Sequence, residues 1–242
     1  MTKILAFSDV TSWEAKNELT SKTLPDIVAL AGDMVNEGTY SHWFEARDKY
    51  WKQTHNYKKH SHDVLLHDRL FRKILEKTKT KRAEGFYNFL KYAGQKSRVL
   101  IIKGNHDEEE SYDPERINNV AGCEEISGRA IEINGIRFLG ISEKESHYLR
   151  LLNPIMDKFK GKIDVIILHG YNIRLISSMQ PKLIIHGGSA SGKYLVNNVK
   201  TVYTSATHHA IITMENNIVK NIFAGPNSPH LLKRDWIKPY PE

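Results

Sequence analysis

Five buried β-runs, each ending on a polar residue of a metal-ligating type, constrain this chain most. The runs Lys3–Ser8, Asp26–Ala31, Arg98–Lys103, Asp164–His169 and Lys182–His186 are aliphatic and β-branched, as buried strands are. They lead into Asp9, Gly32-Asp33, Gly104-Asn105-His106-Asp107, His169-Gly170 and His186-Gly187-Gly188. Sites in open α/β sheets gather outside the carboxyl ends of the strands. Carboxylates, an amide oxygen and imidazoles make a mixed O/N donor set that suits Mn, Fe or Zn. A lone Asp after a strand is usually a turn-former or cap. Gly-Asn-His-Asp directly after Val99-Leu100-Ile101-Ile102, with Gly32-Asp33 upstream and His169 downstream, is a specific pattern.

Between the runs the spacing predicts helices over 12–19, 41–53, 62–78, 84–93 and 148–160, the last broken near Pro154. Ala130–Ile133 and Ile136–Ile141 flank Asn134-Gly135, a strong hairpin signal. Thr201–Ser205, His208–Glu215 and Ile218–Phe223 read as a meander, with Asn216-Asn217 turning its second connection. Strand–helix–strand order followed by antiparallel pairing implies an α/β fold with mixed sheets covered by helices. Residues 1–225 are expected to form one domain with a helical insertion at about 37–97, followed by an irregular tail at 226–242.

The charge is uneven. Residues 47–82 hold twelve Lys or Arg against four acids, whereas the rest of the chain is close to neutral. This segment reads either as a solvated helical face or as a platform for an anionic partner such as nucleic acid. Lys58, Lys59, Arg69, Arg72 and Lys73 are candidate contacts, and Tyr50, Trp51 and Tyr57 are either stacking groups or core anchors. No apolar run comes near the ~20 residues that span a bilayer, so no membrane partner is expected. A single cysteine, Cys123, excludes an intrachain disulfide and a cysteine-built zinc site. No signal peptide is read at the N-terminus, and the expected compartment is the cytoplasm.

The motifs Asp9-x-Thr11, Gly32-Asp33, Gly104-Asn105-His106-Asp107, His169 and His186-Gly187-Gly188-Ser189-Ala190 resemble those of calcineurin-like metallophosphoesterases. The resemblance runs from about Lys3 to Phe223, with the basic segment as an insertion. It implies a four-layer α-β-β-α sandwich of two mixed sheets and a metal-dependent phosphoester hydrolase. Asp9 would bind one metal, Asp33 would bridge two, Asn105 and His169 would bind the second, and His106 would protonate or stabilise the leaving group. The sequence departs from the family where Thr11 stands for a histidine and where Gly188 and Ala190 occupy imidazole positions. The first metal would keep only Asp9 and Asp33. The second would keep Asp33, Asn105 and His169, with His186 as a possible fourth ligand. One well-held divalent transition metal is therefore expected, with a phosphorylated substrate. The alternative is a catalytically degenerate member that binds a partner through the basic insertion. His208 and His209 are read as strand residues, the alternative being that they complete a site.

Overall fold

The computed structural model describes residues 1–9, 25–34, 41–54, 62–107, 112–188, 192–205, 209–224 and 238–239. The expected helix at 12–19, together with Thr11, Tyr57, Lys58, Lys59, Ala190 and His208, lies outside these residues.

The chain is an α/β sandwich of two mixed sheets. The first six-stranded sheet is ordered β12 (Ile218–Ala224), β11 (Ala210–Glu215), β1 (Thr2–Phe7), β2 (Ile27–Ala31), β3 (Arg98–Ile102) and β4 (Cys123–Glu125). The second sheet is ordered β13 (Lys238–Pro239), β9 (Gly192–Val196), β10 (Val199–Thr204), β8 (Leu183–Gly187), β7 (Val165–His169), β6 (Ile136–Ile141) and β5 (Ala130–Ile133). Strands β1 to β4 run parallel, as do β6, β7, β8 and β10, and antiparallel strands flank each block. The parallel strands are buried on both faces, which is why they read as unbroken apolar runs.

Alternation sorts their side chains into two layers. Ile4, Ala6, Ala29, Ala31, Val165, Ile167, Leu183 and Ile185 meet between the sheets. Val28, Leu30, Val99 and Ile101 face Phe86, Phe89, Leu90 and Ala93 of the helix that covers the first sheet. Ile166, Leu168 and Ile184 face Leu152 and Ile176 on the outside of the second sheet.

The helical insertion has its own small core. It comprises α1 (Ser41–Thr54), α2 (His62–His67) and α3 (Arg69–Gly94), with Trp43, Tyr50, Leu65, Phe71 and Leu75 packed together. Tyr50 and Trp51 are therefore core anchors rather than free stacking groups. The helix expected over 62–78 is split at Asp68, whose carboxylate accepts the N–H groups of Leu70 and Phe71 and so caps a new helix. The gap expected before Glu84 closes, because Lys79, Lys81, Arg82 and Ala83 are good helix formers. Pro154 does not break α4 (Leu149–Phe159), since its apolar face remains packed on the outer core.

The expected meander is corrected. Only β11 and β12 pair as a hairpin; β10 belongs to the other sheet and pairs with β9 across Asn197-Asn198. Within the expected irregular tail, Lys238–Pro239 pair with β9 as a short edge strand. Among the described residues, no helix is long and apolar enough to cross a membrane.

Candidate functional site

The strand ends of β1, β2, β3 and β7 converge at one end of the sandwich. His169 closes β7 on the inward-facing parity of Val165 and Ile167, so its ring enters the space between the sheets. Its Nδ1 lies 2.7 Å from the Ala31 carbonyl, an acceptor, so this nitrogen carries a proton. Its Nε2 lies 3.3 Å from Asp33 Oδ2 and 3.0 Å from Asn105 Oδ1. A neutral imidazole protonated at Nδ1 would present a lone pair at Nε2 to two oxygen acceptors. Three lone pairs meeting without a hydrogen between them repel unless a cation joins them.

Without a metal, that cation is a proton on Nε2. Burial by itself would lower the His169 pKa, but the hydrogen bond and charge of Asp33, with Asp9 behind it, outweigh burial and push it up to about 9. The donor set fits a divalent ion at the same place: one carboxylate, one amide oxygen and one imidazole whose second nitrogen is fixed by a carbonyl. Among the described residues no three of His, Cys, Asp and Glu form a metal-holding group, and in such a set the third donor would be the amide of Asn105. Asn105 is exposed while Asp33 and His169 are buried, which leaves the cluster open on one side.

Asp107 holds these loops in register. Its carboxylate accepts the N–H groups of Asp33 (2.9 Å), Met34 (2.8 Å) and Gly104 (2.9 Å). His106 contributes through its main chain, donating its N–H to Asp33 Oδ1 at 2.8 Å. Its half-buried side chain stands one position beyond Asn105. Gly104 is required by close approach, since a Cβ there would strike Asp33 Oδ1 and N. Asp9 and Asp33 both take positive φ, 52° and 55°. The other described non-glycine residues with positive φ are Asn or Gln, so these two aspartates store backbone strain at the site. The sequence singled out Gly-Asn-His-Asp but gave its last residue no task. The signal was there: a buried carboxylate in a tight loop must find donors.

The neighbouring corner is built differently. Asp9 is buried and its Oδ2 accepts the Gly188 N–H at 3.0 Å. Burial, reinforced by the charge of Asp33, raises its pKa to about 6, against the pull of Ser8, His169 and Gly188. Gly188 stands where the resemblance expects an imidazole, and its backbone occupies the carboxylate instead. Among the described residues only Asp9 and the shared Asp33 are left for a second ion, which is too few.

His186 is corrected as a ligand. Leu183 and Ile185 of β8 point inward, so His186 falls on the opposite face with Ile184. Its ring lies 4.6 Å from that of Tyr203, and its Nε2 donates to the Gly170 carbonyl at 3.1 Å. Burial, then the charge of His169, lowers its pKa to about 4, so it stays neutral. His209 is half-buried with its ring 5.9 Å from Phe7, preceding β11. Arg69, Arg72 and Lys73 are exposed along α3, on the insertion, and none of them contributes a donor to the Asp33–Asn105–His169 cluster.

No protein-family model matches the chain. No curated protein matches it either. Solved structures share its fold. One crystal structure is 14% identical, covers 94% of this chain and 99% of its own, and superposes with a TM-score of 0.60. The crystal structure of TT1561 of Thermus thermophilus is 13% identical, covers 93% of this chain and 98% of its own, and also has a TM-score of 0.60. At such identities the likeness is one of fold.

Proposed function

We propose that the chain is a metal-dependent phosphoester hydrolase working from one well-held divalent ion, Mn, Fe or Zn. The observation that carries this reading is the meeting of Asp33 Oδ2, Asn105 Oδ1 and His169 Nε2 with only a ring nitrogen to separate two oxygens. When bound, the ion supplies neutralisation of charge on the phosphoryl oxygens and a lowered pKa for coordinated water. The protein's own groups do the rest. Ala31 fixes the His169 tautomer so that Nε2 is the ligating atom. The His106 N–H and the Asp107 clamp hold Asp33 and the Asn105 loop against movement. The His106 side chain, beside the open face, is assigned proton delivery to the leaving alkoxide, a step worth on the order of 10²–10⁴ in rate. Asp9 acts as a second negative charge at the site rather than as the seat of another ion.

The test is equilibrium dialysis of metal-stripped protein against Mn, Fe or Zn, paired with turnover of bis(p-nitrophenyl) phosphate and p-nitrophenyl phosphate. One ion per chain with metal-dependent turnover is expected. No bound ion, or turnover that survives Asp33→Ala, would overturn the reading. A second reading, a binding protein that retains the sandwich without hydrolysis, draws on the Asp9 corner, where Gly188 has replaced an expected ligand. Stoichiometric metal binding with no turnover of either ester would favour it.

A further inference from the structure

Two features of the same end of the sandwich bear on what the site receives. The first is a cationic ridge. Helix α3 has 26 residues, about 39 Å, whereas the five-residue strands it covers run only about 17 Å. Its C-terminal part, Phe86 to Ala93, packs on the sheet, and the chain then enters the start of β3. A helix crossing between parallel strands runs against them, so residues 69–82 project past the strand ends where Asp33 and Asn105 sit. That projecting part holds seven Lys or Arg and one acid, Glu76. Phe71, Leu75 and Thr78 bury its inner side against α1. Arg69, Arg72, Lys73 and Lys77 are all exposed on the outer side.

The second feature is an aromatic cluster at the rim. Tyr171 lies two residues beyond His169, so the two Cα atoms are within about 7 Å. Tyr171 is 58% exposed and Tyr148 47%. Both rings stand edge-on to His147, with centroids at 5.3 Å and 4.7 Å. The cluster is locked from below. Ser146 Oγ shares its proton between the Glu143 carbonyl at 2.9 Å and the His169 carbonyl at 3.1 Å and accepts the Tyr171 N–H at 3.0 Å, and the Asn172 side chain donates to the Ser146 carbonyl at 2.6 Å. Gly170 permits this approach, because a Cβ there would meet Ser146 Oγ. These bonds fix the backbone that carries Tyr171, while the rings themselves are braced by their edge contacts with His147 and, for Tyr148, by Arg150 at 5.6 Å from the ring centroid.

We propose that the ligand of this end of the molecule is single-stranded nucleic acid, with the α3 ridge holding its phosphates and the Tyr148–His147–Tyr171 cluster stacking an unpaired base beside the strand-end site. This deepens the hydrolase reading by naming its substrate class and rests on it for the position of the scissile ester. A bare polyanion would need the ridge alone, and a duplex has no free base faces to offer the rings.

The experiment measures binding of a labelled 20-mer oligothymidylate to the full chain in chelator, over rising salt, with an abasic 20-mer, a 20-base-pair duplex and inorganic polyphosphate as comparisons. The oligothymidylate should bind tightest, with a steep salt slope. The triple variant Arg72→Glu, Lys73→Glu, Lys77→Glu should weaken every polyanion, by on the order of 100-fold at low salt. Tyr171→Ala should weaken the oligothymidylate by about tenfold and leave polyphosphate and the abasic strand unchanged, with Tyr171→Phe close to the parent. Equal affinity for oligothymidylate and polyphosphate, tighter binding of the duplex, or no effect of Tyr171→Ala would overturn the proposal. Asp33→Ala, measured alongside, separates the two readings. Turnover retained in that variant sinks the hydrolase reading alone, whereas the oligothymidylate affinities decide the ligand.

Discussion

His169 and His186 end two adjacent, register-paired strands, yet their chemistry is opposite. Strands β7 and β8 run parallel with His169 opposite Gly187 and Leu168 opposite His186, so the two rings leave on opposite faces. The inward ring meets Asp33 and Asn105 and is held in its charged form unless a metal replaces the proton. The outward ring is buried against Tyr203 and the Gly170 carbonyl, with Nδ1 lacking a hydrogen-bond partner among the described residues, and is held neutral. A one-residue difference in parity thus separates a histidine that faces two oxygen acceptors from a packed core histidine. The Asp9 corner repeats the lesson, since its carboxylate accepts the N–H of Gly188, a residue standing where the resemblance expects an imidazole.

The largest break in this comparison is expected from Asp33→Ala. It removes the carboxylate facing His169, so metal affinity should fall by more than about 100-fold, read by equilibrium dialysis, and turnover should vanish. The matching change at the other corner, Asp9→Ala, should leave most of the metal affinity in place. Next comes Asp107→Ala, which strands three buried N–H groups on two loops. Metal affinity should drop by roughly 10–100-fold, and urea denaturation should show a loss of a few kcal/mol.

The pH response of the metal-free protein sharpens the contrast. The folded His169 pKa of about 9 lies above the ordinary 6.5, so its contribution is full below pH 6.5 and is lost as pH rises through 9. His186, at about 4, contributes above pH 6.5 and its contribution is lost as pH falls through 4. Asp9, raised to about 6, favours the folded state at low pH and loses that as pH rises through 6, opposing His186 in nearly the same window. The visible trend should therefore be a falling urea midpoint from pH 6.5 to 9. Saturating Zn should flatten it, because a His169 ligated through Nε2 has no proton on that nitrogen to lose. His186→Gln should expose the hidden Asp9 slope between pH 4 and 6. A metal-free midpoint that rises from pH 6.5 to 9 would contradict the charged His169.

The smallest effect belongs to Gly188→Ala. Gly188 has φ 141°, a conformation that side chains rarely adopt, so the variant should lose about 1–3 kcal/mol by thermal or urea unfolding. Metal binding at Asp33, Asn105 and His169 should be unchanged, because the Gly188 N–H faces Asp9 and Ser8 rather than these three residues. A loss of metal affinity there would mean that the two corners are coupled.

Much of this was legible in the residues. Unbroken apolar runs marked the buried parallel strands, and Asn134-Gly135 marked a hairpin with the expected bounds. The first polar residues after β2, β3 and β7 supplied Asp33, Asn105 and His169, because strand ends at one edge of parallel sheets must converge. His186 misled since a strand-end histidine reads alike on either face until the pairing register fixes its parity. Asn197-Asn198, both at positive φ, was a turn signal passed over, and with it the β9–β10 pairing.

By itself, then, the order of residues determined the strands, the insertion and its charge, and which loops carry oxygen and nitrogen donors, because these follow from local periodicity and composition. Tertiary structure alone decided which donors meet. Long-range pairing placed β10 in the second sheet, turned His186 outward, brought the Gly188 backbone to Asp9, and made Asp107 the clamp between two loops more than seventy residues apart in sequence. Those outcomes depend on parity and backbone hydrogen bonding between distant segments, and neither is encoded in any short stretch of chain.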